Sequence, residues 1–410
     1  MIKQNQGNVT TDRPGSTFQI QENLGKVNWD MRSRKLLGVV CGMVLGGILV
    51  AGLWPFHPPK NEVTWFAGGN GLHFGDHGTI LSSGKFKAAE PPADSPCSLE
   101  IWFEPDHTAD SATFLTFYAP GSPRQFSIRQ SISDLALQSD IPDRRHRTRV
   151  VRLYVDDIFR RGKPLFVTVT SYGGQASVYL DGTLARTAHK FPLSSQDFNG
   201  ELIIASATGD SDSWTGLLRG LALYNQDLTP EQVRRHFATW TTKGRPEVSE
   251  DERAVALYLF DERAGGVIHN QVPSGTALYI PDRYRVLDQA RLTPFWKEFR
   301  PDWSFCEDVL INIAGFVPLG FLFCAYFSLA GRVKRPALVT ILLGFAASFT
   351  IEFLQSFLPT RDSGTTDLIT NTSGTCLGVW LYRCNFWRVP VAKIWAHIVP
   401  LRVPKRPAAV

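Results

Sequence analysis

The stretch FTIEFLQSFLPTRDSGTTDLITNTSGTCLG, residues 349–378, decides how this chain is read. It opens apolar enough to enter a bilayer, yet Glu352 and Gln355 lie inside the apolar part. Asp367 and Asn371 follow across a short Pro/Arg/Gly loop. A carboxylate deep in a membrane helix costs about 2.5–3.5 kcal/mol on insertion scales, so such residues usually face a bundle interior or a wet cavity. The stretch therefore predicts two helices whose polar residues look inward.

Outward from that point, three runs are long and nearly free of charge: 36–54, 309–329 and 337–358. Each is about twenty residues, enough to cross a hydrocarbon core as a helix. A fourth, 368–382, is shorter and more polar. The chain of 410 residues is 43% hydrophobic and 20% charged, like an ordinary soluble protein, so the average hides this uneven placement. The net charge of +5 does not indicate a nucleic-acid partner. Its surplus sits beside the apolar runs, at Arg32, Arg34 and Lys35, at Arg332, Lys334 and Arg335, and at Arg383, Arg388 and Lys393. Cytoplasmic flanks of membrane helices are rich in Lys and Arg. Four helices then place both termini and the loop at 331–336 inside, with 55–307 and 359–365 outside, and this agreement admits the weak fourth span.

A cleaved signal peptide does not fit 36–54, because the polar leader is too long and WPFHPP offers no small-residue cleavage site. A retained anchor is the better reading. Gly38, Gly42 and Gly46 fall every fourth residue and present a face for close helix packing. The competing reading is that glycine is common in membrane helices. Of six cysteines, only Cys97 and Cys306 both lie outside, which allows one disulfide or two free thiols.

Residues 60–240 change character. Short alternating segments appear, as in SLEIWFEP (98–105), where Leu99, Ile101 and Phe103 share one face and Glu100, Trp102 and Glu104 the other. LFVTVTSY (165–172), QASVYLDGTLARTA (175–188), ELIIASA (201–207) and LLRGLALYNQDL (217–228) continue the series. Asp181-Gly182 between alternating runs is a strong hairpin signal. Many short strands at regular spacing predict a β-sandwich. Thr229, Pro230 and Gln232 predict a capped helix after the last strand.

The order SLEIWF, SVYLDG, GLLRGLALYNQDLTPEQV resembles the laminin-G-like, concanavalin A-like lectin jelly roll over residues 65–240 or so. The resemblance implies two packed antiparallel sheets that bind glycans or proteins. AVALYLFDERAGGVIHN (254–270) resembles an edge segment of the same fold. Some sandwich relatives are glycosidases with carboxylates at alternate strand positions. Glu100 and Glu104 share a face here, with Trp102 at the intervening acidic position, and the competing reading is two solvated strand glutamates. Calcium occurs in such domains, but no dense Asp/Asn loop resembles a ligand set, so no cofactor and no metal ligands are assigned.

In the membrane part, each of the last three helices carries a polar pair near its outer end: Asp308 with Asn312, Glu352 with Gln355, and Asp367 with Asn371. Residues three or four apart share one helix side. Gly374 and Gly378 continue the Asp367 stripe as a close-packing pattern, and Gly315 lies below Asn312. Arg361 in the outer loop is the evident partner of the carboxylates. A pocket lined by this ring competes with an interhelical hydrogen-bond cluster that only holds the bundle.

DVLINIAGFVPLGF and IEFLQSFLPTRDSGTTDLITNTSGTCLG resemble the VanZ-like membrane family, named for a teicoplanin-resistance protein, over residues 308–381. LVAGLWPFHP (49–58) resembles the helix that precedes this block in the family, so the lectin-like domain reads as inserted after the first helix. The expected fold is thus α+β multidomain: a four-helix transmembrane bundle plus an extracytoplasmic antiparallel β-sandwich. Its parts are a cytoplasmic tail at 1–35, a first membrane helix at 36–55, the sandwich at 60–240, and a sandwich-completing segment and linker at 241–300. A VanZ-like domain at 303–385 follows, with helices near 308–329, 337–358 and 366–384, then a basic tail at 386–410. The expected function is that of a bacterial inner-membrane accessory protein of the cell envelope, glycan- or polymer-binding or of the glycopeptide-resistance type that the resemblance implies. The sandwich would bind a glycan or polymer, and the polar ring a lipid-linked precursor or headgroup. The alternative is a membrane-embedded enzyme acting on such a precursor, with Glu352 or Asp367 as general base and Arg361 stabilising negative charge. No Ser/His/Asp, Cys/His or metal-ligand set accompanies it.

Overall fold

The computed structural model describes residues 31–86, 95–122, 124–142, 148–159, 163–209, 213–273, 275–299, 301–331 and 333–384. Most of the two tails, with Arg388 and Lys393, lies outside the described residues. The chain forms two compact units. One comprises Trp54–Leu292 with Phe353–Ser363, and the other Met1–Leu53, Thr293–Glu352 and Gly364–Val410.

The first unit is an antiparallel sandwich. One sheet runs β1 (Val63–Trp65), β2 (Leu72–Phe74), β13 (Gly216–Tyr224), β4 (Cys97–Pro105), β9 (Leu165–Tyr172), β10 (Gln175–Leu180), β11 (Thr183–Ala188), and β14 (Ala254–Tyr258) also pairs with β13. The other runs β15 (Val267–Ile268), β16 (Leu278–Tyr279), β3 (Ile80–Ser82), β12 (Glu201–Ile204), β5 (Asp110–Tyr118), β6 (Gln125–Ile132), β7 (Asp134–Pro142), β8 (Thr148–Val155). Residues 254–279 thus give strands to both sheets, which explains the alternating apolar positions beyond the last strand of the lectin-like pattern.

Alternation places the core. Leu99, Ile101 and Phe103 of β4 are buried with Phe114, Phe117, Phe126, Leu137, Val167 and Leu221 between the sheets. Asp181 and Gly182 both take positive φ, 49° and 77°, the conformation that a two-residue hairpin between β10 and β11 requires. The capped helix is α2 (Pro230–Lys243); the first helix, α1, is Met31–Leu53. Thr229 and Gln232 form the reciprocal capping box, at 2.7 and 3.3 Å, and Gly244 ends the helix in the left-handed region. The helix lies on the outer face of the first sheet. Trp240 seats over Gly220, where any Cβ would overlap the indole ring. A second apolar cluster of Phe166, Tyr179, Tyr224, Val233 and Trp240 forms beneath it.

The other unit is helical: α1, α3 (Trp303–Ala330), α4 (Pro336–Gln355, of which it holds the residues up to Glu352) and α5 (Thr365–Arg383). Among the described residues, three helices are long and apolar enough to cross a membrane: Arg32–Leu53, Trp303–Ala330 and Pro336–Gln355. The fourth expected span is present as the helix α5 but lacks the apolarity. The reason is its hydroxyls, which Thr372, Ser373 and Thr375 donate to carbonyls of their own helix four residues back, at 2.7–3.1 Å. Helix α3 starts at Trp303 because Asp302 caps it, its carboxylate accepting the Phe305 N–H at 2.8 Å.

Close packing of α3 and α5 depends on glycine. A Cβ at Gly374 would overlap the Ile313 carbonyl, one at Gly378 the Val317 carbonyl, and one at Gly320 the Thr375 carbonyl. On α4, Gly344 leaves room for Thr375 in the same way. The stripe on α1 differs from its expectation: a Cβ at Gly38 would come 3.2 Å from Tyr326, but at Gly42 and Gly46 it would meet nothing within 4 Å. Gly52 takes their place, against Ile351. Gly315 also faces open space, because Ile313 and Val317 present the carbonyls that α5 approaches.

Candidate functional site

The polar residues of the helical unit separate into distinct contacts. Asn312 on α3 donates to the Asp367 carboxylate on α5 at 2.7 Å. Asn371, one turn further along α5, is buried and donates to Ser348 Oγ on α4 at 3.0 Å, while its own Oδ1 has no hydrogen-bond partner. Glu352 is 1% exposed and accepts the backbone N–H of Gly364 at 2.9 Å. The carboxylate in the apolar run therefore sits at the start of the next helix, where unpaired N–H groups and the helix dipole favour negative charge. A second carboxylate does the same. Glu298, in the helical turn Phe295–Glu298, accepts the Thr366 N–H at 3.0 Å and the Thr366 hydroxyl. Sequence reading missed Glu298, because nothing near it in sequence marks the helix it serves.

Asp308 does not join these contacts as a buried ring member; it is exposed on α3. With the helix beginning at Trp303, Asp308 lies in its second turn, not at its head. Gln355 and Arg361 fall in the sandwich unit. Gln355 is buried there, and the Arg361 guanidinium donates twice to the Trp54 carbonyl, at 3.1 and 2.6 Å. Gln289 fixes the same loop, donating to the carbonyls of Leu358 and Arg361. Cys97 and Cys306 are both free thiols, one buried in β4 and one exposed on α3.

The second region is the outer face of the first sheet, where Glu100, Trp102 and Glu104 point. Glu100 is not solvated. It is fully buried under α2 and accepts from Tyr224 Oη at 2.8 Å, with His236 Nδ1 at 3.0 Å. His236, also fully buried, contacts Glu252 through Nε2 at 3.1 Å, and Glu252 is held in turn by Arg235. Burial pushes the His236 pKa down, but the two flanking carboxylates outweigh it and leave the imidazole raised above its usual value. Burial and the same carboxylate push the Tyr224 hydroxyl well up. A glycosidase pair needs two carboxyl groups facing one bond. With Glu100 sealed beneath α2, this strand does not provide it.

Glu104, beyond the edge of α2, opens onto a cleft of about 440 Å³ with Phe66, His73, Asp106, Leu217 and Arg219. The pairings Leu217↔His73 and Leu217↔Glu104 bring three strands' side chains into one row. Arg219 is held over the rings of Phe66 and Trp102, 5.0 and 5.5 Å from their centroids, and its Nη2 reaches Glu104 at 3.5 Å. Its Nε–H is buried and has no acceptor. His73 and Asp106 pair at 2.9 Å across the cleft. The cleft presents a partly exposed guanidinium, two partly exposed carboxylates and an aromatic wall, a set suited to a ligand bearing several hydroxyls. Among the described residues no three His, Cys, Asp or Glu side chains are grouped to hold a metal.

Residues 261–388 match the family model described as VanZ/LLP1, and residues 82–234 match that of the Concanavalin A-like lectin/glucanases superfamily. Both resemblances read from the sequence are thus found by comparison. No curated protein matches the chain. Solved structures similar to it include the binding domain of Paraclostridial Mosquitocidal Protein 1, 12% identical, covering 45% of this chain and 47% of that one with a TM-score of 0.35. The binding domain of botulinum neurotoxin DC in complex with rat synaptotagmin II is 14% identical, covering 44% and 45%, TM-score 0.31. The native heptameric SAP-like pentraxin from Limulus polyphemus is 14% identical, covering 51% and 94%, TM-score 0.30. The chain spans about half the length of the first two.

Proposed function

We propose that this chain is a multi-pass protein of a bacterial inner membrane, held by α1, α3, α4 and α5, whose extracytoplasmic sandwich binds a glycan or polymer of the cell envelope. It acts as an accessory protein and not as a hydrolase. The observation that carries the reading is the cleft beside Glu104, where the partly exposed Arg219, Glu104 and Asp106 meet the ring of Phe66. The partly exposed Arg219 guanidinium and the carboxylates of Glu104 and Asp106 can exchange charge-assisted hydrogen bonds with sugar hydroxyls. The VanZ-type segment and the three apolar helices support the membrane setting. Basic flanks at Arg34, Lys35, Lys334 and Arg335 support the orientation. Reading α5 as a fourth span is supported by hydroxyls bonded within the helix and by the contacts of Asn371 and Asp367 with α4 and α3.

The test is binding of the full chain, in detergent micelles, to an array of peptidoglycan fragments and envelope polysaccharides. Retention of one glycan class is expected, with Arg219→Met weakening it about tenfold or more, the loss of one charge-assisted bond. Phe66→Ala should weaken it as well. Retention of no glycan, or binding unchanged in both variants, overturns the proposal.

A further inference from the structure

Residues 293–299 and Trp303 carry four large aromatic side chains left uncovered among the described residues. Phe295 is 51% exposed, Trp296 67%, Phe299 64% and Trp303 80%. The backbone beneath them is not loose. Thr365 donates its N–H and its hydroxyl to the Thr293 carbonyl at 2.9 and 3.0 Å, and Glu298 holds the Thr366 N–H. The turn Phe295–Glu298 closes on Pro294, whose carbonyl accepts the Lys297 N–H at 2.9 Å. One side of the segment thus clamps the start of α5 while the other holds its rings outward.

We infer that this aromatic face is a docking surface for the lipid–water interface of the bilayer, lying among the headgroups beside α3. The inference rests on the membrane reading above and adds to it a contact outside the spans. Three observations select lipid over a protein partner. First, the face is continuous with α3, whose exposed Leu310 and Ile311 carry the apolar surface onward. Second, α3 has 28 residues, about 42 Å at 1.5 Å per residue, against a hydrocarbon core of about 30 Å. Because the nearly charge-free run begins only at 309, after Glu307 and Asp308, the excess of about 12 Å falls on the first turns, with Trp303, at headgroup level. Third, the composition fits: Trp rings bring an apolar body and an N–H to the interface, and Lys297 supplies a cation for lipid phosphate. The exposed Asp308 then needs no buried partner, because at that depth it meets water.

The test uses the full chain with its native cysteines replaced, reconstituted in phosphatidylethanolamine/phosphatidylglycerol vesicles and nitroxide-labelled at Trp296→Cys or Phe299→Cys. Leu342→Cys on α4 and Tyr172→Cys on β9 serve as reference labels. The ratio of oxygen to nickel-chelate collision at 296 and 299 should lie severalfold above that at 172 and below that at 342. Values equal to position 172, while 342 reads as lipid, overturn the inference; a watery 342 instead sinks the membrane reading itself. Labels shielded from both reagents mean a protein covers the face, and overturn it too. If cysteine replacement prevents folding, Trp296→Phe with Trp303→Phe in the otherwise native chain should reduce quenching by lipids brominated near the glycerol level. Unchanged quenching overturns the inference.

Discussion

Replacing His236 by Leu removes the group that two fully buried carboxylates share. Glu100 would keep Tyr224 Oη, and Glu252 would keep Arg235 and the Ser249 N–H at 2.9 Å, so neither is stripped bare. What is lost is the cation between them, with contacts at 3.0 and 3.1 Å. Breaking a buried pair costs about 3–5 kcal/mol, and the remaining partners place this case near 3. For a domain of this size that is a fall of roughly 6–12 °C in the sandwich midpoint. The pH dependence carries a sign. Because folding raises the His236 pKa, its contribution is complete below the unfolded value of about 6.5 and is lost as pH rises through the folded value. The gap between native chain and His236→Leu should therefore narrow from pH 6 upward. Thermal unfolding of the full chain in micelles, followed by β-sheet circular dichroism across pH 6–9, measures both. A loss under 1 kcal/mol, or a gap that widens with pH, refutes a charged imidazole between the carboxylates.

Other outcomes follow from the packing and caps. Gly374→Val and Gly378→Val should each destabilise the helical unit by about 1–3 kcal/mol or more, since the added carbons meet carbonyls of α3, while Gly42→Ala and Gly46→Ala should stay within about 0.5 kcal/mol; resistance to unfolding in mixed micelles reports both. Asn312→Leu should cost about 0.6 kcal/mol, up to about 1.7, through its lost bond to Asp367, read by the same assay. Thr229→Ala should cost about 1 kcal/mol by removing the cap of α2, seen as faster hydrogen exchange in residues 231–233.

Local chemistry determined much of this protein from the sequence alone. Periodicity two in SLEIWFEP and the Asp181-Gly182 turn dictate strands, and runs of about twenty apolar residues dictate helices fit for a bilayer, because these signals lie within one element. The cap at Thr229 is equally local. What the sequence left open concerns partners far apart along the chain. Glu100 looks like a solvent-facing strand residue until α2, over a hundred residues later, closes on it with His236. Glu352 looks like an intruder in an apolar helix until Gly364 turns its N–H toward it, and Glu298 gives no signal until Thr366 arrives. A glycine every fourth residue likewise reads the same on α1 and α5; only the neighbouring backbone makes Gly374 indispensable and leaves Gly42 facing open space. Short-range pattern fixes the elements, whereas the worth of a buried charge or a missing Cβ depends on what tertiary packing sets against it.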